Sequence, residues 1–418
     1  MKLAYHTLGC KLNFAETSTY RRAFEAAGCE TVPWSADDAD VYLLNTCAVT
    51  GVAEKKSRGL IRNVHRRSPN ARIIVTGCYA QLRPAEILAL GGVARVFGSD
   101  DKPSLVSSVL TLAAASAPGA EGSVELRSSM LPAYSAGDRT RSFLKVQDGC
   151  DNFCAYCTVP YARGRSRSLP LCEVVRQAKE IAAAGIKEIV LTGVNTGDFG
   201  RKNGESFLGL LKALDEVDGI ARYRISSIEP NLLTDEIIDW IAGESTKFLP
   251  HFHIPLQSGS DDLLRLHGRR YDTALFASRI DRIREKMGPH VFFGIDVIAG
   301  LPGETPERFE ESRRFLAERI RPAYLHVFPY SPRPGTRAAG MPGQVQDSLK
   351  TGRVAVLEDL CRELHEAFIE SCRGMEETVL WESTRKGGVM EGYTGNYIRQ
   401  ERPYDPALAG TLQKIVIV

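Results

Sequence analysis

CDNFCAYC, residues 150–157, places Cys150, Cys154 and Cys157 within eight residues, directly behind the apolar run FLKVQ at 143–147. Three thiols on one short loop after a strand suit a cubane iron–sulfur cluster and leave one of its irons without a protein ligand, free to take a small molecule. Zinc is the competing metal, but a structural zinc site wants four closed ligands, usually paired C-x-x-C knuckles, and no second knuckle follows. Packing alone is a poor explanation for three cysteines on a loop.

Downstream of this loop, candidate strands EIVLTG (188–193), YRISS (223–227), HFHIPL (251–256), VFFGIDVIAG (291–300) and AYLHVFPY (323–330) alternate with helical stretches such as CEVVRQAKEIAAAG (172–185). With FLKVQ this makes six strand–helix units over 141–374, the pattern of an open or partial (β/α)6 barrel. Upstream, residues 1–112 show the same rhythm: KLAYHTLGC then FAETSTYRRAFEAAG, DVYLLNTC then AEKKSRGLIRNVHRR, and RIIVTGC then PAEILAL. A separate parallel α/β domain is expected there, with Gly28 closing one helix and Pro84 opening another. The stretch 113–140 is rich in Ala, Ser, Gly and Pro and reads as a linker. Residues 375–418 (ETVLWES, GVMEGYTGNYIRQ, LQKIVIV) have the short strands and turns of a small β-barrel.

The chain has 418 residues, 43% of them hydrophobic and 25% charged, with a net charge of +2. That composition excludes a disordered or fibrous protein, and any polyanion site must be a local patch. MKLAYHTLGCKLN lacks the apolar core of a signal peptide, and no run is long enough to span a membrane, so a cytoplasmic protein is expected. In that reducing compartment ten cysteines point to metal ligation rather than disulfides. Cys10, Cys47 and Cys78 each close an apolar strand of the first domain, and strand C-termini of a parallel sheet share one edge, so these three could converge on a second cluster. From spacing alone, buried small hydrophobes explain them equally well. Cys29, Cys172, Cys361 and Cys372 match no motif.

The loop C-x-x-x-C-x-aromatic-C, with Tyr156 as the aromatic, resembles the cluster loop of radical S-adenosylmethionine enzymes. In that superfamily S-adenosylmethionine chelates the open iron and is reductively cleaved to a 5′-deoxyadenosyl radical. The resemblance implies cofactor contacts at Tyr156, at Asn195 in LTGVN (which lacks the common Gly-Gly-Glu), at Ser227 and Glu229 in SSIEP, at Gln257 and at Ile298. TLGCKLN with Glu16, NTCAVTGVAEKKSR and TGCYAQ resemble the N-terminal domain of the methylthiotransferase family, in which such cysteines hold an auxiliary cluster. That likeness covers nearly the whole chain. It implies two 4Fe-4S clusters and two S-adenosylmethionine molecules per turnover, one as methyl donor and one as radical source, with an external electron donor. Cys-Lys-Leu-Asn with Glu16, Lys11 and GYTGNYIR look like the branch acting on carbon 2 of threonylcarbamoyladenosine at position 37 of transfer RNA. The branches acting on isopentenyladenosine or on a ribosomal-protein aspartate are the alternatives.

The nucleic-acid side is read from local charge. Lys55, Lys56, Arg58, Arg62, Arg66 and Arg67 line one helix, and YARGRSRS (161–168) offers Arg163, Arg165 and Arg167 beside the radical-cluster loop. A solvated helix face accounts for the first group equally well. The terminal segment resembles the small RNA-binding TRAM barrel, which implies contacts from Tyr393, Asn396, Tyr397 and Arg399 to an anticodon stem-loop. His251 and His253 read as structural groups. A non-enzymatic iron–sulfur carrier is the rival from another class, and it has no use for a six-unit barrel.

Overall fold

The computed structural model describes residues 1–114 and 130–418, so residues 115–129 of the expected linker lie outside the described residues. The first domain is a five-stranded parallel sheet, formed by β1 (Lys2–Thr7), β2 (Glu30–Val32), β3 (Val41–Thr46), β4 (Arg72–Gly77) and β5 (Val93–Val96), in the order β2-β1-β3-β4-β5. Strand residues alternate between two cores, as the period of two requires. Leu3, Val41, Leu43 and Ile74 meet Tyr20 and Phe24 of helix α1 (Lys11–Ala26), whereas Ala4, Tyr42, Leu44, Ile73 and Val75 meet Ile61 and Val64 of helix α2 (Gly51–Arg67). Burial on both faces explains why β3 opens with the apolar run Val41–Leu44 instead of alternating. Thr50 caps α2 by accepting from the Ala53 amide at 3.2 Å. Gly28 follows the end of α1 at φ +82°, and Pro84 opens the short helix Pro84–Leu88, as the sequence predicts.

The second unit begins inside the stretch read as linker. β6 (Ala133–Tyr134) pairs antiparallel with β7 (Ser142–Lys145), and Arg22 of α1 lies 4.1 Å over the Tyr134 ring. The chain then forms a short ribbon of β8 (Gln147–Asp148) and β9 (Arg167–Ser168) around the CDNFCAYC loop. β7 continues in parallel to β10 (Glu188–Thr192) and β11 (Arg222–Ile225), while β12 (His251–Gln257), β13 (Phe292–Ala299) and β14 (Tyr324–Pro329) form a second parallel sheet. Isolated bridges at Tyr223–Phe248 and Ser227–His253 join the two sheets into an open six-stranded barrel. Helices including Leu171–Ala183, Phe207–Asp215 and Thr273–Met287 cover its outside through one continuous apolar core.

The last unit is a four-stranded antiparallel sheet, an open half-barrel, with strands β15 (Glu376–Lys386), β16 (Val389–Tyr393), β17 (Arg399–Pro403) and β18 (Leu412–Val416) in the order β17-β16-β15-β18. Val379, Trp381 and Met390 pack on its inner face. The turn after β16 closes the N-terminal end of the six-stranded barrel, where Arg222 and Arg224 donate to the carbonyls of Tyr393, Thr394 and Gly395 at 2.6–2.9 Å. No helix among the described residues is long and apolar enough to cross a membrane.

Candidate functional site

β1, β3 and β4 are adjacent in the first sheet, and Cys10, Cys47 and Cys78 stand just beyond their C-terminal ends. Cys10 precedes α1, Cys47 follows β3 directly, and Cys78 begins the short helix α3 (Cys78–Leu82). The approach of Cys10 to Cys47 depends on Gly9, whose φ is +105° and where a Cβ would lie 2.8 Å from the Cys47 Cβ. Asn13 fastens the strand ends by donating to the carbonyls of Leu8 and Thr46 at 2.9 and 3.0 Å. Burial, then the thiol of Cys78, then that of Cys10 push Cys47 up to about 12, and burial likewise raises Cys78. Thiols this reluctant to ionise become thiolates when a metal supplies the compensating charge.

Cys150, Cys154 and Cys157 gather above β7 in the same manner. Phe153 between them takes φ +48°, which turns the loop back on itself. Burial, then Glu229 and Cys154, push Cys150 up to about 11, and burial, then the thiols of Cys154 and Cys150, push Cys157 up to about 12. Both trios are wider than a single-ion site. Among the described residues only His253, Asp296 and His326 bring three ligand atoms within 4.8 Å of one another. A cubane binds each thiolate through a different iron, so the wider spacing fits a cluster and disfavours mononuclear zinc.

A cavity of about 340 Å³ lies beside the CDNFCAYC loop, and the first domain reaches it through Val49 and Thr50, not through Cys10, Cys47 or Cys78 themselves. Cys150, Tyr156 and Cys157 form one wall, Val49 and Thr50, just after Cys47, form another, and Asn195, Ser227, Glu229, Gln257 and Ile298 come from the strand ends of the barrel. All six residues expected to contact the cofactor therefore border one space. The Gln147 carboxamide accepts from the amides of Val194 and Asn195 at 2.9 and 3.0 Å, which shapes the turn that stands where Gly-Gly-Glu is usual. Glu229 is held by Arg269 at 2.7 Å and by Asn152 at 2.6 Å. Arg269 also donates to the Cys154 sulfur at 3.1 Å and to the Tyr156 hydroxyl at 3.3 Å. Burial holds the Tyr156 phenol well above its ordinary value, so it stays neutral.

Several residues of this site carry no sequence signal. Arg269 and Gln147 stand in no motif, Asn152 fills an unspecified position of the CDNFCAYC loop, and all three are recognised only by their partners. The same is true of Asp296, which lines the cavity and accepts from His253 at 2.7 Å. Burial works upward on Asp296, but the bond from His253 outweighs it and the carboxyl titrates low. Burial and His253 push His326 down to about 4. These three side chains point into the barrel from β12, β13 and β14.

The expected nucleic-acid contacts divide by burial. Arg163 is a correction: it is 2% exposed and engaged with Asp148 at 2.9 Å and Glu16 at 3.3 Å, so it joins α1 to the cluster loop and faces no solvent. Asn396 is a second correction, 1% exposed and bonded to Thr394 and to the His290 carbonyl. Tyr393 is half-buried, stacked on Tyr397 at 4.9 Å beneath Arg141. Arg399 is exposed and paired with Glu391 and Glu401. Arg165 is 71% exposed and lies 4.7 Å over the ring of the exposed Phe153, which meets the exposed Tyr161 edge-on. Lys55, Lys56, Arg62 and Arg66 form an exposed face of α2.

Two family models match the chain: the Radical SAM superfamily over residues 144–316 and Uncharacterized protein family UPF0004 over residues 2–98. The threonylcarbamoyladenosine tRNA methylthiotransferase MtaB of Bacillus subtilis is 39% identical over 100% of this chain and 93% of its own length. Its counterpart from Thermotoga maritima is 38% identical over 94% and 90%. A tRNA-2-methylthio-N(6)-dimethylallyladenosine synthase from Oleidesulfovibrio alaskensis is 33% identical over 90% and 82%, so the likeness is stronger to the threonylcarbamoyl branch. Among solved structures, the radical S-adenosylmethionine methyltransferase TsrM from Kitasatospora setae, with cobalamin and a 4Fe-4S cluster bound, matches with a TM-score of 0.58. That match covers 93% of this chain and 80% of that one at 14% identity, a likeness of fold.

Proposed function

Because the chain belongs to the threonylcarbamoyladenosine tRNA methylthiotransferase family of radical S-adenosylmethionine enzymes, we propose that it attaches a methylthio group to carbon 2 of threonylcarbamoyladenosine at position 37 of transfer RNA. The observation that carries this reading is the single cavity bordered both by Cys150 and Cys157 and by the residues following Cys47. A reaction that must generate a radical and deliver sulfur to the same carbon needs the radical-cluster loop and the strand ends of the first domain to meet at one space.

Cys150, Cys154 and Cys157 would hold one 4Fe-4S cluster and Cys10, Cys47 and Cys78 a second; with S-adenosylmethionine these groups supply the radical, the methyl group and the sulfur. Tyr156, Asn195, Ser227, Glu229, Gln257 and Ile298 would hold S-adenosylmethionine. Glu229, oriented by Arg269 and Asn152, would accept from hydroxyl groups. Gln147 fixes the backbone of Val194 and Asn195, and Asn195 in turn accepts from the Glu229 amide at 3.2 Å. The apolar walls from Val49, Ile298 and Phe328 limit water, which protects a reactive carbon radical. The work divides among the N-terminal sheet domain, the barrel unit that begins with β6, and the C-terminal unit 375–418.

On the RNA side, Arg165 with Phe153 and Tyr161 offers a cation and two aromatic faces beside the cavity, the chemistry that suits a splayed anticodon loop. Arg399 and the exposed lysines and arginines of α2 would meet phosphates. An external donor supplies the electron, and a cytoplasmic location follows from the substrate. Expression of the chain in a bacterium lacking its own threonylcarbamoyladenosine methylthiotransferase tests the reading. Methylthio-threonylcarbamoyladenosine is expected to return to the digested transfer RNA; its absence, with the protein soluble and iron-loaded, would overturn the proposal.

A further inference from the structure

Side chains two apart on a strand share a face, so β12, β13 and β14 sort their residues into two sets. Ile254, Leu256, Ile295, Val297 and Leu325 belong to the apolar core beneath the helices. The other set, turned into the barrel, includes His253, Asp296 and His326. In the register of the sheet Asp296 stands directly opposite His326, and His253 stands opposite Gly294, two residues before Asp296. A Cβ at Gly294 would already touch the His326 Nε2 at 3.4 Å, and any larger side chain would take the room in which the two imidazole rings approach to 4.8 Å between centroids.

Three donor atoms, one from each side chain, lie within 4.8 Å of one another, and no other group among the described residues does the same. The His253 Nε2 and one Asp296 oxygen are 2.7 Å apart. The second Asp296 oxygen and the His326 ring have no hydrogen-bond partner among the described residues. His253 and Asp296 are 21% and 18% exposed, Asp296 borders the cavity beside the CDNFCAYC loop, and His326 borders a second cavity of about 410 Å³ between β14 and the helix Asp347–Ser371. The group is therefore built into the barrel wall yet reachable by a small ion.

We infer that His253, Asp296 and His326 form a binding site for one zinc-class divalent ion, separate from both cysteine sets. The site is independent of the proposed reaction. Two imidazole nitrogens with one carboxylate are the donor set of open zinc sites, whereas magnesium and calcium demand oxygen ligands throughout. Donors about 2.1 Å from a common zinc stand roughly 3.4 Å apart, so the His253 and Asp296 atoms part slightly and His326 closes in. Three protein ligands leave a fourth position for an oxygen donor. Asp296 puts that position at the wall of the cavity, where water or an oxygen of the bound substrate would fill it.

The test uses the full chain with its cysteines already filled by iron and sulfide, stripped of loose metal on a chelating resin without oxygen, then dialysed against zinc chloride. About one zinc per chain is expected to remain at low micromolar free zinc, with the iron content unchanged. X-ray absorption at the zinc edge should show nitrogen and oxygen neighbours at about 2.0–2.1 Å and no sulfur shell at about 2.3 Å. His326→Ala and Asp296→Asn should each weaken zinc binding by at least about 100-fold, beyond what loss of a merely supporting partner costs. Iron content and thermal midpoint show that each variant is folded and loaded, and the wild-type absorption spectrum decides the matter should either variant fail to fold. Absence of retained zinc overturns the inference, as does a sulfur shell, which would put the ion on cysteines. A smaller loss in folded His326→Ala overturns it too and leaves His253 and Asp296 as a hydrogen-bonded pair. Methylthio transfer takes no part in this readout, so failure of the proposed reaction would leave the site standing.

Discussion

Glu16 is fully buried and accepts from Lys102 at 2.7 Å, from Lys145 at 2.8 Å and from Arg163 at 3.3 Å. Burial would raise its pKa, but these three cations hold it well below the usual carboxylate range. One side chain of α1 thereby ties together the end of the first domain, the first barrel strand and the CDNFCAYC loop. Glu16→Gln leaves the buried Lys102 without a carboxylate partner, while Lys145 and Arg163 keep Asp148, and is expected to cost about 3–5 kcal/mol, seen as a fall in the thermal midpoint on the order of ten degrees. A second expectation concerns the two thiol sets. Cys78→Ala should abolish methylthio transfer while cleavage of S-adenosylmethionine to 5′-deoxyadenosine persists; loss of both in a variant that retains the radical cluster would refute the division of labour. At this scale legibility follows sequence distance. The spacing of Cys150, Cys154 and Cys157 is local and can be read directly. Arg163 lies beside readable RNA-binding candidates, yet it is buried by partners 15 and 147 residues away, which no local pattern announces.

Elements meet through a second buried ion set. Glu188 of β10 accepts from Arg222 at 2.5 Å and Arg224 at 2.9 Å on β11, and the two arginines donate onward to carbonyls of the C-terminal unit. Burial opposes ionisation of Glu188, but Arg224, Arg222 and Arg141 outweigh it and hold the carboxyl at about 2. A depressed carboxyl stabilises the fold above its ordinary value of 4.5, and that stabilisation is lost as the pH falls through about 2. The thermal midpoint should therefore decline as the pH drops from about 4.5 toward about 2, and Glu188→Gln, less stable at neutral pH, should show a flatter decline, followed by tryptophan fluorescence. The strands themselves are readable from β-branched runs and period. The polar residues within them, such as Arg222 and Arg224 in ARYRISS, look like a half-exposed strand until the turn that covers them is known.

On the scale of the whole molecule, the three units share surfaces. Gly51 of α2 donates to the Ser331 hydroxyl at 3.2 Å, Arg333 pairs with Glu54, and the cavity takes its walls from both the first domain and the barrel. The order of α/β domain, barrel and terminal β-unit is visible in the changing hydrophobic period. The packing of GYTGNY beneath the barrel is not, because aromatic residues in a turn look the same whether they face RNA or a protein interior. Removal of residues 375–418 is accordingly expected to cost solubility and thermal stability as well as RNA affinity, since Arg222 and Arg224 lose their carbonyl partners; a truncated chain that melts like the full one would contradict that packing.

The most direct measurement is anaerobic. The full chain, reconstituted with iron and sulfide, is given dithionite, S-adenosylmethionine and transfer RNA carrying unmethylthiolated threonylcarbamoyladenosine, and the digested nucleosides are resolved by mass spectrometry. The proposed reaction yields methylthio-threonylcarbamoyladenosine together with 5′-deoxyadenosine. Formation of 5′-deoxyadenosine with every nucleoside unchanged would contradict it.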